Sequence, residues 1–305
     1  MRSRWQRFKE SYMLYSFLRD HMAVTCFVIL AILVTTAFTA PIIAPHDPYD
    51  TKTIDIMNAQ LPPVWSDGGT ADFLLGTDAQ GRDMLSTMLY GMRVSIIIGV
   101  GAVCLQAFLG IVVGLLSGYI KRLDNILMRI ADVQLSFSTY MVAIFIGAIV
   151  QTAFGVAGYD KVAVPLIIVI IGLAEWPQYA RTVRASVLAE RKKEYVEAAR
   201  VIGLSKSRIM WRHILPNTLS PVLVISTVQV ANAIMSEAAL SFLGLGMPVT
   251  KPSLGSLITA GFEYIFSGSW WITIFPGFLL VTLILVINLL GDWVRDFLNP
   301  KLYKG

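Results

Sequence analysis

Six apolar runs, at 22–43, 94–118, 140–154, 162–179, 218–235 and 272–290, restrict this chain more than any other feature. A helix crossing a bilayer needs about 20 mostly apolar residues, and its backbone N–H and C=O groups must pair internally because the hydrocarbon offers no water. The runs therefore predict an all-α membrane protein of six transmembrane helices. Composition agrees: 55% of the 305 residues are hydrophobic and 15% charged, against about 25% charged in soluble domains. The third run is short in its apolar part and is expected to begin nearer Ile126, with Asp132 and Gln134 on its first turns. Pro165 and Pro177 are expected near the ends of the fourth, or at a bend. The first run follows Arg2, Arg4, Arg7, Lys9 and Arg19, as a signal peptide would, but it is too long and further spans follow, so it reads as an uncleaved anchor.

Lys and Arg set the orientation. With six spans both termini share one side, and segments 1–21, 119–129, 181–213 and 291–305 carry 20 of the 25 basic residues. That side is read as cytoplasmic. The resulting plan is a cytoplasmic segment 1–21, an anchor 22–43, an extracytoplasmic loop 44–93, a transmembrane core 94–290 with a second outer loop at 240–271, and a cytoplasmic tail 291–305. Either outer loop is large enough to receive a ligand or a partner.

Chemistry-bearing residues are sparse. Cys26 and Cys104 lie inside apolar runs, and His21, His46 and His213 are too scattered for a metal site. Gly110, Gly114 and Gly118 recur every fourth residue, which puts them on one helix face and predicts close helix packing. Asp132, Glu175, Glu237 and Asp292 map near expected span ends, where a carboxylate avoids the cost of burial in lipid; Glu237 is the ambiguous one, because the apolar sequence continues beyond it.

Between the fourth and fifth runs lies a charged island, 190–217. Residues 191–202 read as a helix with Tyr195, Val196, Ala199 and Ile202 on one stripe, and the small Ala198 and Ala199 allow a neighbour to approach. Gly203 stands where a helix end wants a left-handed residue. Ser205 is placed to cap a second helix reaching Ile214, which Pro216 would stop. Such a helical hairpin suits either anionic lipid, through Arg191, Lys192, Lys193, Lys206, Arg208 and Arg212, or a cytoplasmic protein; Glu194 and Glu197, which anionic lipid repels, tilt towards the protein.

Glu197-Ala198-Ala199, then Gly203, then Ile214-Leu215-Pro216 resembles the EAA loop of bacterial ABC-importer permeases. Segments 76–86, 90–95, 176–184, 213–217, 237–246 and 288–296 follow in order and resemble the dipeptide/oligopeptide/nickel permease family, C-type subunit. The chain departs from that pattern at 136–140, where the family has a proline, at 253–255 and at Asn299-Pro300. The resemblance implies a type I importer permease fold in the bacterial inner membrane. It also implies a second permease, two cytoplasmic ABC ATPases holding ATP and Mg, an extracytoplasmic binding protein, membrane lipid around the spans and no nucleic acid. Glu194, Glu197, Ala198, Ala199, Gly203, Ile214, Leu215 and Pro216 would form the ATPase-coupling loop.

The chain has no Gly-x-x-x-x-Gly-Lys-Ser/Thr loop, so no ATP, metal or cofactor site is expected in it. A membrane enzyme would need a nucleophile, a base and an orienting group, which these residues do not supply. The alternative reading is a stand-alone secondary carrier or channel, which would want deep ionisable groups or an inverted repeat.

Overall fold

A computed structural model describes residues 12–50 and 54–298; the basic residues Arg2, Arg4, Arg7 and Lys9 and the Asn299-Pro300 end lie outside them. In chain order the helices are α1 (Tyr12–Arg19), α2 (His21–Phe38), α3 (Ala40–Ile43), α4 (Met84–Tyr119), α5 (Lys121–Ser136), α6 (Thr139–Glu190), α7 (Glu194–Val201), α8 (Lys206–Arg208), α9 (Leu215–Phe242), α10 (Leu254–Phe262) and α11 (Trp271–Phe297), with a π-helical turn, Ile209–Ile214, between α8 and α9. Among the described residues the only β pairing is one isolated bridge, Thr77 with Asp83. Five helical stretches are long and apolar enough to cross a membrane, and the bent pair Lys121–Ser136 and Thr139–Val150 is the sixth candidate.

The chain divides into two compact units, one comprising 1–93 with 260–305 and the other 94–259. In the first, Asp20 caps α2, its carboxylate accepting from the N–H groups of Met22 (3.0 Å) and Ala23 (3.1 Å). Phe17 packs edge-on against Trp293 of α11, ring centroids 5.1 Å apart. The segment before α4 is an ordered loop. Asp78 and Arg82 form a buried ion pair at 2.6 Å, and Trp271 Nε1 donates to the Thr77 carbonyl at 3.1 Å. Helix α4 starts at Met84, ten residues before the expected span, because Asp83 accepts from both the N–H (2.9 Å) and the hydroxyl (2.5 Å) of Ser86 and so fixes its first turn.

The second unit is built on close contact between α4 and α6. A Cβ on Gly110 would stand 2.1 Å from Tyr179 Cβ, one on Gly114 2.6 Å from the Ala180 carbonyl oxygen, and one on Gly118 2.7 Å from Val187 Cβ. The three glycines thus lie along one line of α6, with its backbone within reach.

The third expected span is corrected. A straight helix from Ile126 does not form; α5 ends at Ser136 and the chain turns through 84° into α6. Ser136 returns its hydroxyl to the Asp132 carbonyl at 3.0 Å, a local bond that competes with helix continuation. The charges of α5 are tied to α6 instead: Arg184 holds Asp124 with two bonds, at 2.5 and 2.7 Å, and Arg181 holds Asp132 at 2.6 Å. The third and fourth runs share α6, with a break at Gly155 (φ 67°), and its second stretch, Tyr159–Glu190, contains Pro165 and Pro177 within one helix.

Candidate functional site

The island folds as a two-sided hairpin. Helix α7 turns Val196 and Ala199 into the hydrophobic core of the second unit, while Glu194, Glu197, Ala198, Val201 and Ile202 are exposed. Val201 and Ile202 are 88% and 77% exposed, so Ile202 does not belong to the buried stripe expected for it. The reason is the helix end. Ile202 is the C-cap and Gly203 follows at φ 82°; Leu204 N–H bonds the Ala199 carbonyl at 3.1 Å and Gly203 N–H the Arg200 carbonyl at 2.9 Å. These two bonds make a Schellman motif, whose left-handed position favours glycine. The motif swings the two residues before the turn out to the tip.

Ser205 caps α8, accepting from Arg208 N–H at 3.4 Å. Beyond it the expected stop at Pro216 does not occur. Ile209, Met210 and Ile214 are buried, and the helix runs on from Lys206 to Phe242 through the π turn. Proline lacks an N–H and its ring crowds the preceding turn. The wider turn before it, with Leu215 N–H on the Met210 carbonyl, opens that turn enough for Pro216 to sit in the first turn of α9. Leu215 is partly buried and Pro216 exposed.

The hairpin's root is clasped by a polar cluster drawn from separate stretches of the chain. Tyr195 Oη donates to Glu190 Oε2 at 2.6 Å, and Asn217 Nδ2 donates to Tyr195 Oη (3.1 Å) and to the His213 carbonyl (2.8 Å). Burial and the adjacent Glu190 carboxylate raise the Tyr195 phenol above its ordinary pKa, which keeps it a donor. Arg191 Nη1 reaches the Gly118 carbonyl at 2.9 Å, joining the root of the hairpin to the end of the glycine line. No spacing rule connects residues 118, 190, 195 and 217.

Glu237 lies near the end of α9 but does not reach solvent, and Glu175 lies away from a helix end. Glu237 is fully buried, accepting from the hydroxyls of Ser253 (2.6 Å), Ser241 (2.9 Å) and Ser95 (3.3 Å). Ser95 in turn accepts from Leu254 N–H at 3.2 Å. One carboxyl therefore joins α9, the second-unit part of α4 and Ser253, the residue before α10. Glu175 lies in the middle of the stretch Tyr159–Glu190. Asp132 and Asp292 are exposed. No group of three or more His, Cys, Asp or Glu residues able to hold a metal occurs among the described residues.

Long helices at membrane length, close small-residue packing and a polar hairpin hung between two spans define a helical, multi-pass membrane protein. The solved permease fold of an inward-facing MetNI methionine ABC transporter matches at a TM-score of 0.56 over 71% of this chain and 98% of that one, at 18% identity. Residues 106–304 match the binding-protein-dependent transport system inner membrane component family, and residues 2–63 the N-terminal TM domain of oligopeptide transport permease C. The chain is 36% identical to the di/tripeptide transport system permease protein DppC of Pseudomonas aeruginosa, over 94% of its length and 90% of the relative's. It is 37% identical to the dipeptide transport system permease protein DppC of Escherichia coli K12, over 94% and 91%. The chain belongs to the family of binding-protein-dependent transport system inner membrane components: it is a multi-pass ABC-importer permease subunit, not an enzyme.

Proposed function

We propose that this permease forms, with a second homologous permease, a translocation path for short peptides handed over by an extracytoplasmic binding protein. Two ATPase subunits, which hold the ATP and Mg, drive it from the cytoplasm. The peptide cargo is inferred from relatives that match nearly end to end and bear dipeptide or di/tripeptide transport names. The termini and hairpin 190–217 face the cytoplasm, a reading supported by the 20 of 25 basic residues on that side.

The observation that carries the coupling role is the two-sidedness of α7. Its inner face, Val196 and Ala199, is packed against the spans, and its outer tip offers Ala198, Val201 and Ile202 beside Glu194 and Glu197. Exposed apolar residues at a charged tip suit a protein groove better than water. Gly203, Ile214, Leu215 and Pro216 fix the shape behind the tip: a tight turn leads from α7 into a helix that runs on from Lys206 into α9. The stand-alone carrier reading lacks such a reason for the hairpin.

Co-expression with its genomic neighbours and isolation in detergent tests the assignment. An ATPase subunit is expected to travel with the chain, and Glu197→Lys to weaken that association. A chain isolated without an ATPase, with peptide uptake intact in Glu197→Lys, contradicts the coupling role.

A further inference from the structure

Among its long helices the second unit holds a carboxylate with no cation beside it among the described residues. Glu175 lies near the middle of the helical stretch Tyr159–Glu190, about 22–24 Å of helix rise from its ends. Gln106 Nε2 of α4 and Gln229 Nε2 of α9 each stand 3.4 Å from its Oε2, and Ser236 Oγ 3.4 Å from its Oε1. The two glutamines also touch each other at 3.5 Å, and Asn232 donates to Gln229 Oε1 at 2.8 Å. The bonds to the carboxylate are long, so these neighbours orient it without saturating it. Ion pairs among the described residues involve other groups.

Glu175 borders a cavity of about 290 Å³ whose wall includes Gln134, Phe137, Ser138, Tyr140, Gln178 and Ser236. That wall carries one carboxylate and no Lys, Arg or His, which disfavours an anion and suits a cation; Phe137 and Tyr140 add aromatic rings of the kind that attract cations. The cavity lies at the elbow between α5 and α6, where the helix break leaves terminal carbonyls and N–H groups without intrahelical partners. Irregular backbone at membrane depth persists where it lines a cavity, and broken helices near the midplane serve as solute sites in transporters.

We propose that this cavity is a cargo subsite for a primary ammonium group, bound by the Glu175 carboxylate, which Gln106, Gln229 and Ser236 hold in place. The identification of that group with the N-terminus of a short peptide rests on the peptide-import reading. An unpaired intramembrane carboxylate is otherwise unfavourable; a transient cation partner gives it a function without locking it in a permanent salt bridge.

The test uses the whole transporter complex, purified without its binding protein, and radiolabelled dialanine. Equilibrium binding and reconstituted uptake are measured for wild type, Glu175→Asp and Glu175→Gln, with N-acetyl-dialanine, which lacks the ammonium, as competitor. Binding by wild type is expected, weakened about tenfold or more in Glu175→Gln and largely kept in Glu175→Asp, with no competition from the acetylated peptide. The proposal is overturned by absent wild-type binding, by equal binding in Glu175→Gln, or by competition from N-acetyl-dialanine equal to that of dialanine. If Glu175→Gln fails to assemble, competition on the wild type decides alone. A complex that binds dialanine through Glu175 yet imports no peptide sinks the peptide-import reading and leaves the ammonium site standing. Import with binding indifferent to Glu175 does the reverse.

Discussion

Gly203 shows how much one backbone angle can decide. Its φ of 82° is needed for the Schellman turn, and a Cβ placed there meets nothing within 4 Å. Any effect of substitution is therefore backbone strain rather than a clash. Gly203→Val is expected to destabilise the turn by about 1–3 kcal/mol, whereas Gly203→Asn, which tolerates the left-handed region, stays close to wild type. Comparing ATPase retention on the two purified variants checks this; equal loss in both would mean that something other than φ is at stake. Glu237 makes a second prediction at this scale. Glu237→Ala strips three buried hydroxyls of their acceptor and should lower stability by about 1–3 kcal/mol, with Glu237→Gln, which keeps an acceptor oxygen, losing less. Thermal unfolding of the detergent-solubilised complex reads the difference, and an unchanged midpoint in Glu237→Ala would deny the hydroxyl cage a structural role.

For the helices, what matters is whether a neighbour can yield. Gly110 meets Tyr179 Cβ together with backbone atoms of Ala180 and Trp176, while Gly101 meets the side chain of Ile168, nearest at its Cδ1 tip. A side-chain tip can rotate away and a helix backbone cannot. Gly110→Ala is thus expected to destabilise the α4–α6 pair by about 1–3 kcal/mol and Gly101→Ala to cost well under that; yields of folded complex from matched expressions compare them. The helices were legible in the sequence where one rule governed them. The apolar runs gave the long helices, and glycine spacing put Gly110, Gly114 and Gly118 on one face. Where two rules competed, the sequence misled. Asp132 and Gln134 looked like the start of a span, but Arg181 and Arg184, some 50 residues later, draw α5 away from that course. Pro216 looked like a stop, but a π turn made room for it. Tertiary partners of this kind leave no periodicity to read.

At the level of the whole molecule, the fold class and the shape of the hairpin were readable because both follow from local pattern: hydropathy for the spans, and helix, glycine and helix for the hairpin. The polar interior was not. Gln106, Glu175, Gln229 and Ser236 come from three helices, and each alone looks like a stray polar residue in an apolar run. Only the packing of α4, α6 and α9 brings them together, and the same holds for Ser95, Glu237, Ser241 and Ser253. An importer permease is asked to do two things, to sense ATP hydrolysis in another chain and to offer the solute a path. In the proposed reading the first falls at an exposed tip that sequence could find, and the second at an interior junction that it could not.

Movement of the partner ATPases is proposed to enter this chain through the tip of α7. The most direct test is peptide uptake and ATP hydrolysis measured together in proteoliposomes holding the complete transporter, with Val201→Asp and Ile202→Asp combined in this subunit. Both side chains are exposed, so the variant is expected to fold and to pair with its partner permease. Uptake should fall about tenfold or more, as for the loss of an apolar interface anchor, while any remaining ATP hydrolysis no longer responds to the loaded binding protein. Wild-type uptake with hydrolysis still stimulated by the binding protein would contradict the account.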